Sequence, residues 1–492
     1  MQQYIQHNGL LKGYWNWIAL IVLLSSIAVF VYTDIFLVLL APFAFIFIFW
    51  LIVNFKSYYW LFVLAIPFTA VANIGSGYYY LPLMPLSIVS CLLALALILY
   101  NRKLIYENFY SHPITLILFL QFFWLVISVV FSEIPFLSFK YLVVNIIQLG
   151  AFLLFPMIVL KKKKDWIIIA KILLISFVIL SIYVFIRNYL KGFNFSYTNI
   201  SVKPFFYNHV DHGTVLAMLT PIPYIIWRQV SKEKKWLRMT LILVFIFFLI
   251  STYLTFARAA ILAVIFSFVI LITIKYRLVN LLMVAFFAVS ISISTYLIQN
   301  DTYKKFRPNF EQTYTRHTFD DLIKATFAGG DMSSAERFYR WIAAVRMSKE
   351  RPFTGVGPNN FYYYYKPNAV QMFRTYVSRN EEKSTTHNYF LFMLVEQGWP
   401  AMILYGIFIW ALFNYAQRLY HSKKDIFNKR MVLIAAMVIA AFFINNLFSE
   451  LLQTYKIGAL FYLAVILLFW VENQEKPITK NLSDSNTSKD LP

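Results

Sequence analysis

Apolar runs of roughly 17 to 25 residues, each long enough as a helix to cross the ~30 Å hydrocarbon layer of a bilayer, recur from Gly13 to Trp470 between short polar breaks. They predict spans near 14–33, 35–53, 58–74, 81–100, 113–131, 140–160, 166–186, 212–227, 238–256, 258–275, 278–298, 387–416, 430–448 and 456–472. Helices are the expected element because a helix satisfies its own backbone in lipid, whereas an open sheet leaves its edges unpaired. No small-residue cleavage site follows the first run, so it is expected to remain as a span. The least marked division lies between the ninth and tenth spans, where only Ala257 and Arg258 interrupt a mostly apolar stretch; it is read as a hairpin.

The one long break, residues 299–386, has its own pattern. Ser333 followed by Glu336 is a capping-box spacing, which predicts a helix running to about Glu350 and stopped by Pro352 and the Gly355–Pro358 turn. After Glu472 the polar stretch ending in SDSNTSKDLP has no apolar periodicity and reads as disordered. The expected organisation is eleven spans in 1–298, a partly helical loop domain in 299–386, three spans in 387–472 and a tail in 473–492. Composition agrees: 60% hydrophobic and 13% charged residues, with a mean hydropathy of +0.64, exclude a soluble globule. The fold class is an all-α polytopic membrane protein of about fourteen transmembrane helices with one large, partly helical loop.

The formal net charge of +22 would point to nucleic acid in a soluble chain, but its placement here is topological. Assigning alternate loops to alternate sides puts twenty Lys and Arg on one side, including Lys161–Lys164, and six in the short loops opposite. By the positive-inside rule both termini are cytoplasmic and the 299–386 segment is outside. That segment carries fourteen basic residues against nine acids, which long translocated domains tolerate. Cys91 is the single cysteine, so one chain can form neither a disulfide nor a multi-cysteine metal site.

Several polar residues fall where the outer membrane surface meets the long loop. Arg258, in TYLTFARAAILAV, stands at the outer end of two helices, where a buried cation needs an anion or must snorkel. Arg337 and Arg340 are three residues apart and share a helix face; planar guanidinium groups bind pyrophosphate oxygens through paired hydrogen bonds that Lys cannot copy. His387, in STTHNYFLFMLVEQG, is the side chain best suited to take a proton from a hydroxyl near neutral pH. Asn388 is placed to orient it; Glu396, more than two turns deeper, is expected to bond inside the bundle. His209 and His212 flank Asp211 in FYNHVDHG, without a zinc-motif spacing, and read as a polar entrance lining; no metal site is expected. The aromatic run FYYYYKP, Phe361–Pro367, reads as an interfacial belt.

Four of these elements, in order, resemble the O-antigen ligase and polymerase family: TFARAA, ERFYRW, RPFTGVGPNNF and THNYFLFMLVEQG. The likeness covers the second half of the chain. In the first half, FFWLVISVVFSEIPFLSFK is similar to the family's first-half span and outer loop, which adds Ser132 and Lys140 as weaker candidates. The resemblance implies that Arg258 and Arg337 grip the pyrophosphate of an undecaprenyl-linked glycan, that His387 acts as base on the acceptor hydroxyl, and that transfer needs no metal or cofactor. Arg340, directly before Trp341, competes with Arg337 for the loop arginine's role; Arg337 is preferred. It further implies a ligase moving a glycan to a lipid A-core hydroxyl on the periplasmic face of the bacterial inner membrane, with membrane lipids and no nucleic acid as partners. The alternatives are a polymerase of the same fold, a protein O-oligosaccharyltransferase, and, in another class, a lipid or solute transporter. Against transport, the spans hold few mid-depth ionisable residues, Glu396 and the near-interface Lys171 being the clear cases.

Overall fold

A computed structural model describes residues 53–74, 77–305, 332–369 and 385–475, with isolated positions at 21, 24–26, 29 and 51. The spans expected at 14–33 and 35–53 and residues 476–492 of the expected tail lie outside the described residues. Ten described helices are long and apolar enough to cross a membrane. They are α2 (Leu83–Tyr100), α3 (Pro113–Val130), α4 (Pro135–Val159), α5 (Lys163–Tyr189), α8 (Lys235–Tyr253), α9 (Arg258–Lys275), α10 (Val279–Ile298), α13 (Tyr389–Ser422), α14 (Ile426–Asn446) and α15 (Tyr455–Glu472). The loop contributes α11 (Met332–Glu350), where the capping-box spacing placed a helix, and α12 (Phe361–Asn368).

Two expected spans take another form. The third is α1 (Phe55–Phe68), a 14-residue helix of ~21 Å, and the remainder of the expected run enters an antiparallel hairpin of β1 (Ala70–Ile74) and β2 (Gly77–Leu81). Val71 and Ile74 before the Gly-Ser-Gly sequence and Tyr78–Tyr80 after it are strand-forming chemistry; of these, residues up to 74 are also apolar enough to extend the expected span. The eighth divides into α6 (His209–Leu219) and α7 (Pro221–Gln229), because Pro221 and Pro223 supply no backbone N–H to continue the first helix. The ninth and tenth spans separate as expected into α8 and α9, across a turn in which Phe256 adopts a left-handed φ of 58°.

α15 and α14 form the centre and are the most deeply buried of the described spans; both are apolar along most of their length, as a core helix must be. α14 packs most extensively on α9. Ala435, Ala436, Ala440 and Ala441 on α14, and Ala260 and Ala263 on α9, are fully buried, small residues that let helix backbones approach where no hydrophobic drive separates helix from lipid. α10 is 6% buried and forms a periphery.

Candidate functional site

Arg258 is the first residue of α9, where a cation opposes the helix dipole, so its position serves something other than helix stability. The turn before it is held by Thr255, whose hydroxyl donates to the Thr252 carbonyl at 2.6 Å. Gly213 on α6 fits against this turn: a Cβ there would stand 2.9 Å from Ala257 Cβ and 2.9 Å from Thr255 Oγ1. This close approach brings the start of α6 to the start of α9. His209, the first residue of α6, has Nδ1 2.8 Å from Asn199 Oδ1, and its ring stands edge-on to Phe195 at 5.6 Å. The charges of both Arg337 and Arg258 are felt at His209. His212 is not at an entrance: it is buried one turn further in, against the Phe206 ring at 4.8 Å.

α11 supplies the two loop arginines. Its Ala335, Tyr339, Ala343, Ala344 and Met347 are buried, and the helix packs on α13. Arg340 is buried, with Nη1 donating to the Thr385 carbonyl at 3.4 Å, and Trp341 Nε1 donates to the Thr386 carbonyl at 3.1 Å. Arg337 is half-buried. α11 thereby fastens the segment that carries His387.

His387 itself has a φ of 52°, a left-handed conformation uncommon for a residue with a Cβ. Its neighbours hold it there. Asn388 caps α13 by accepting from the Phe390 and Leu391 amides at 2.9 and 3.1 Å. Glu450, between α14 and α15, accepts from the hydroxyl of Thr385, from the hydroxyl of Thr386 at 2.5 Å and from the Asn388 amide at 3.2 Å. One carboxylate thus grips both sides of His387. Burial, then the charges of Arg340 and Arg337, hold the His387 imidazole well below its ordinary pKa of 6.5, so it is neutral at physiological pH and has a free lone pair to accept a proton. Burial pushes the Glu450 carboxyl up, opposed by the hydrogen bonds from Thr385, Thr386 and Asn388 and by Arg340.

A second set of contacts braces the site. Gly398 breaks α13 with a φ of 81°, and the 352–360 turn wedges into the break: the Val356 amide donates to the Val395 carbonyl at 2.9 Å and the Trp399 amide to the Pro352 carbonyl at 2.8 Å. Glu396 accepts from the Asn359 and Phe361 amides at 2.6 and 3.1 Å, so its partners come from the loop turn and not, as expected, from inside the bundle. Ser132 accepts from Asn360 Nδ2 at 2.8 Å, while Arg351 pairs with Glu133, joining the loop after α3 to the turn. Ser132 is thus a brace. Lys140 lies exposed on α4 with Nζ 4.5 Å over the Phe136 ring; among the described residues no contact joins it to His387 or the arginines. In α12, Phe361 and Tyr365 are buried and pair at 5.3 Å, so that part of the aromatic run packs inward. Among the described residues no group of three His, Cys, Asp or Glu could hold a metal ion.

Arg258, Arg337, Arg340, His209 and His387 therefore gather from four separate segments into one electropositive group, with Arg337 felt at both histidines. Residues 243–406, about a third of the chain, match the family model described as O-antigen ligase. This segment is an O-antigen ligase domain. Among curated proteins, no sequence matches the chain. The O-antigen ligase domain contains Arg258, Arg337, Arg340, His387 and Asn388, and it carries ligase- or polymerase-type function in general. His209 and Glu450 lie outside its matched residues. Glu450 had one sequence signal, as the single acid in the break between the last two apolar runs, on the side assigned to the long loop.

Proposed function

We propose that the protein transfers a glycan from undecaprenyl pyrophosphate to a lipid A-core hydroxyl, in a site opening on the periplasmic face. The observation that carries this reading is the electrostatic meeting of Arg337 with both His209 and His387, and of Arg258 with His209. Positive charge so clustered, beside a neutral imidazole, matches the needs of a reaction whose leaving group is a lipid pyrophosphate that gains negative charge as it departs and whose nucleophile is a neutral alcohol. His387 accepts the proton as the acceptor oxygen bonds to the anomeric carbon. The bond from that carbon to the pyrophosphate oxygen breaks, and the electron pair leaves with the lipid pyrophosphate. Arg258 and Arg337 neutralise the growing charge, so a divalent ion is not required. Losing one such preorganised group costs about 10²–10³ in rate. Attack opposite the pyrophosphate inverts the anomeric centre.

The test is transfer by purified protein from a defined undecaprenyl-pyrophosphate glycan to alternative acceptors, with and without EDTA. Lipid A-core is expected to accept the glycan, with EDTA without effect and the product inverted by NMR. His387→Ala and Arg337→Ala are expected to abolish transfer at normal protein levels, while Arg340→Ala leaves measurable activity. Near-normal attachment by the His387 variant retires the base assignment; transfer only to a second lipid-linked repeat makes the protein a polymerase.

A further inference from the structure

At the opposite end of the bundle from His387, α5, α6, α7, α8, α14 and α15 line an open-sided apolar cavity of about 410 Å³, within the size range of small-molecule sites. Its walls include Met218, Leu241, Val438 and Leu463. One face of α5 brings all the polar groups but Gln229 of α7. Lys163, Trp166, Ala170, Lys171 and Leu174 follow helical spacing and all line the cavity, with Lys171 ~12 Å along the axis from Lys163. Lys163 Nζ sits 3.7 Å over the Phe427 ring. Lys171, exposed and two turns inside a strongly apolar span, has no hydrogen bond or ion pair among the described residues. Trp166 is 5% exposed, and its indole N–H has no partner.

These three groups are donors, and no carboxylate lines the cavity. The nearest acid along α5, Asp165, is already occupied by Lys56 at 2.7 Å and by the Lys162 amide at 3.0 Å. A cation carried that far into a span is retained where an anion or interface receives it. We infer that this cavity binds an anionic phospholipid of the surrounding bilayer, its acyl chains against the apolar wall and its phosphate held by Lys163, Lys171 and the Trp166 N–H. Basic pockets between transmembrane helices recognise anionic headgroups in this way. The site is separate from the glycan-transfer group and does not rest on the reading of that reaction.

The full-length protein, delipidated in detergent and titrated with phosphatidylglycerol or phosphatidylcholine under native mass spectrometry, tests the assignment. Phosphatidylglycerol is expected to be retained preferentially. Each lysine removed, in Lys163→Ala and Lys171→Ala, is expected to weaken retention about fivefold, the equivalent of ~1 kcal/mol per basic residue. Lys234→Ala/Lys235→Ala, at the same end but outside the cavity, is expected to change nothing. Ala464→Phe, which fills the wall with both lysines intact, is expected to block binding; its melting temperature without lipid checks that it folds. The inference is overturned by equal retention of the two lipids, by undiminished retention in Lys163→Ala/Lys171→Ala, by an equal loss in the Lys234/Lys235 variant, by preferential retention of a polyprenyl phosphate, or by a photo-crosslinker at position 171 that captures protein instead of lipid.

Discussion

His387 combines two properties that a histidine in an ordinary helix cap does not have: a left-handed backbone and an imidazole kept neutral by burial and two guanidinium groups. A residue with a Cβ in that region stores about 1–3 kcal/mol and persists only where its surroundings over-determine it. Here Glu450 supplies that constraint through Thr385, Thr386 and Asn388. Glu450→Gln keeps the shape but gives up a charged acceptor, a loss of about 1.5–3 kcal/mol; transfer is expected to fall roughly 10- to 100-fold with the protein still folded, measured as kcat against the wild type. A Glu450→Gln protein of unchanged activity removes Glu450 from the positioning role. The pH profile follows with a definite sign. Because the His387 pKa is lowered, the acid limb of kcat/KM, which reports free enzyme, is expected below pH 6.5. Arg340→Gln removes a cation that disfavours imidazolium, so the limb should move to higher pH; an unmoved limb assigns it to another group.

At the scale of elements, the site depends on two places where helices stop being regular. One is the Gly398 break in α13. A Cβ at Gly398 would stand 1.9 Å from the Phe353 carbonyl oxygen, and the φ of 81° is itself unfavourable for other residues. Gly398→Ala is therefore expected to lower stability by about 1–3 kcal/mol and to open the 352–360 turn to proteolysis, read by the melting temperature and limited digestion. The Gly355–Pro358 turn reads as a breaker in the chain, whereas the span expected at 387–416 runs through Gly398 without a break. That the turn fills the break in α13 is a matter of packing, and no local pattern encodes it. The other place is the start of α6, where Gly213 lets α6 approach α9 closely enough to set His209 beside Arg258.

For the whole molecule, the spacing of apolar runs anticipated the described spans from α2 onward closely, since helix length is dictated by bilayer thickness. It failed at residues 70–74, expected as the end of a span but folded as the first strand of a hairpin, and at 212–227, expected as one span but divided into α6 and α7. By the positive-inside rule the α11 end is expected outside and the Lys161–Lys164 end in the cytoplasm. Labelling tests this directly, because Cys91 is buried: an impermeant maleimide applied to spheroplasts is expected to modify Lys349→Cys and to leave Lys234→Cys untouched. The opposite result inverts the orientation.

Composition and periodicity alone determined that this chain lives in a bilayer, where its helices run and which residue types could handle a phosphate and a proton, because these follow from solvent and side-chain chemistry acting locally. Only the folded arrangement decided that Arg337 lies near both histidines, that His212 is interior, that Ser132 and Glu396 serve as braces, and that Glu450 secures His387. Those facts depend on which helix faces meet, and such meetings are selected by shape and burial between segments hundreds of residues apart.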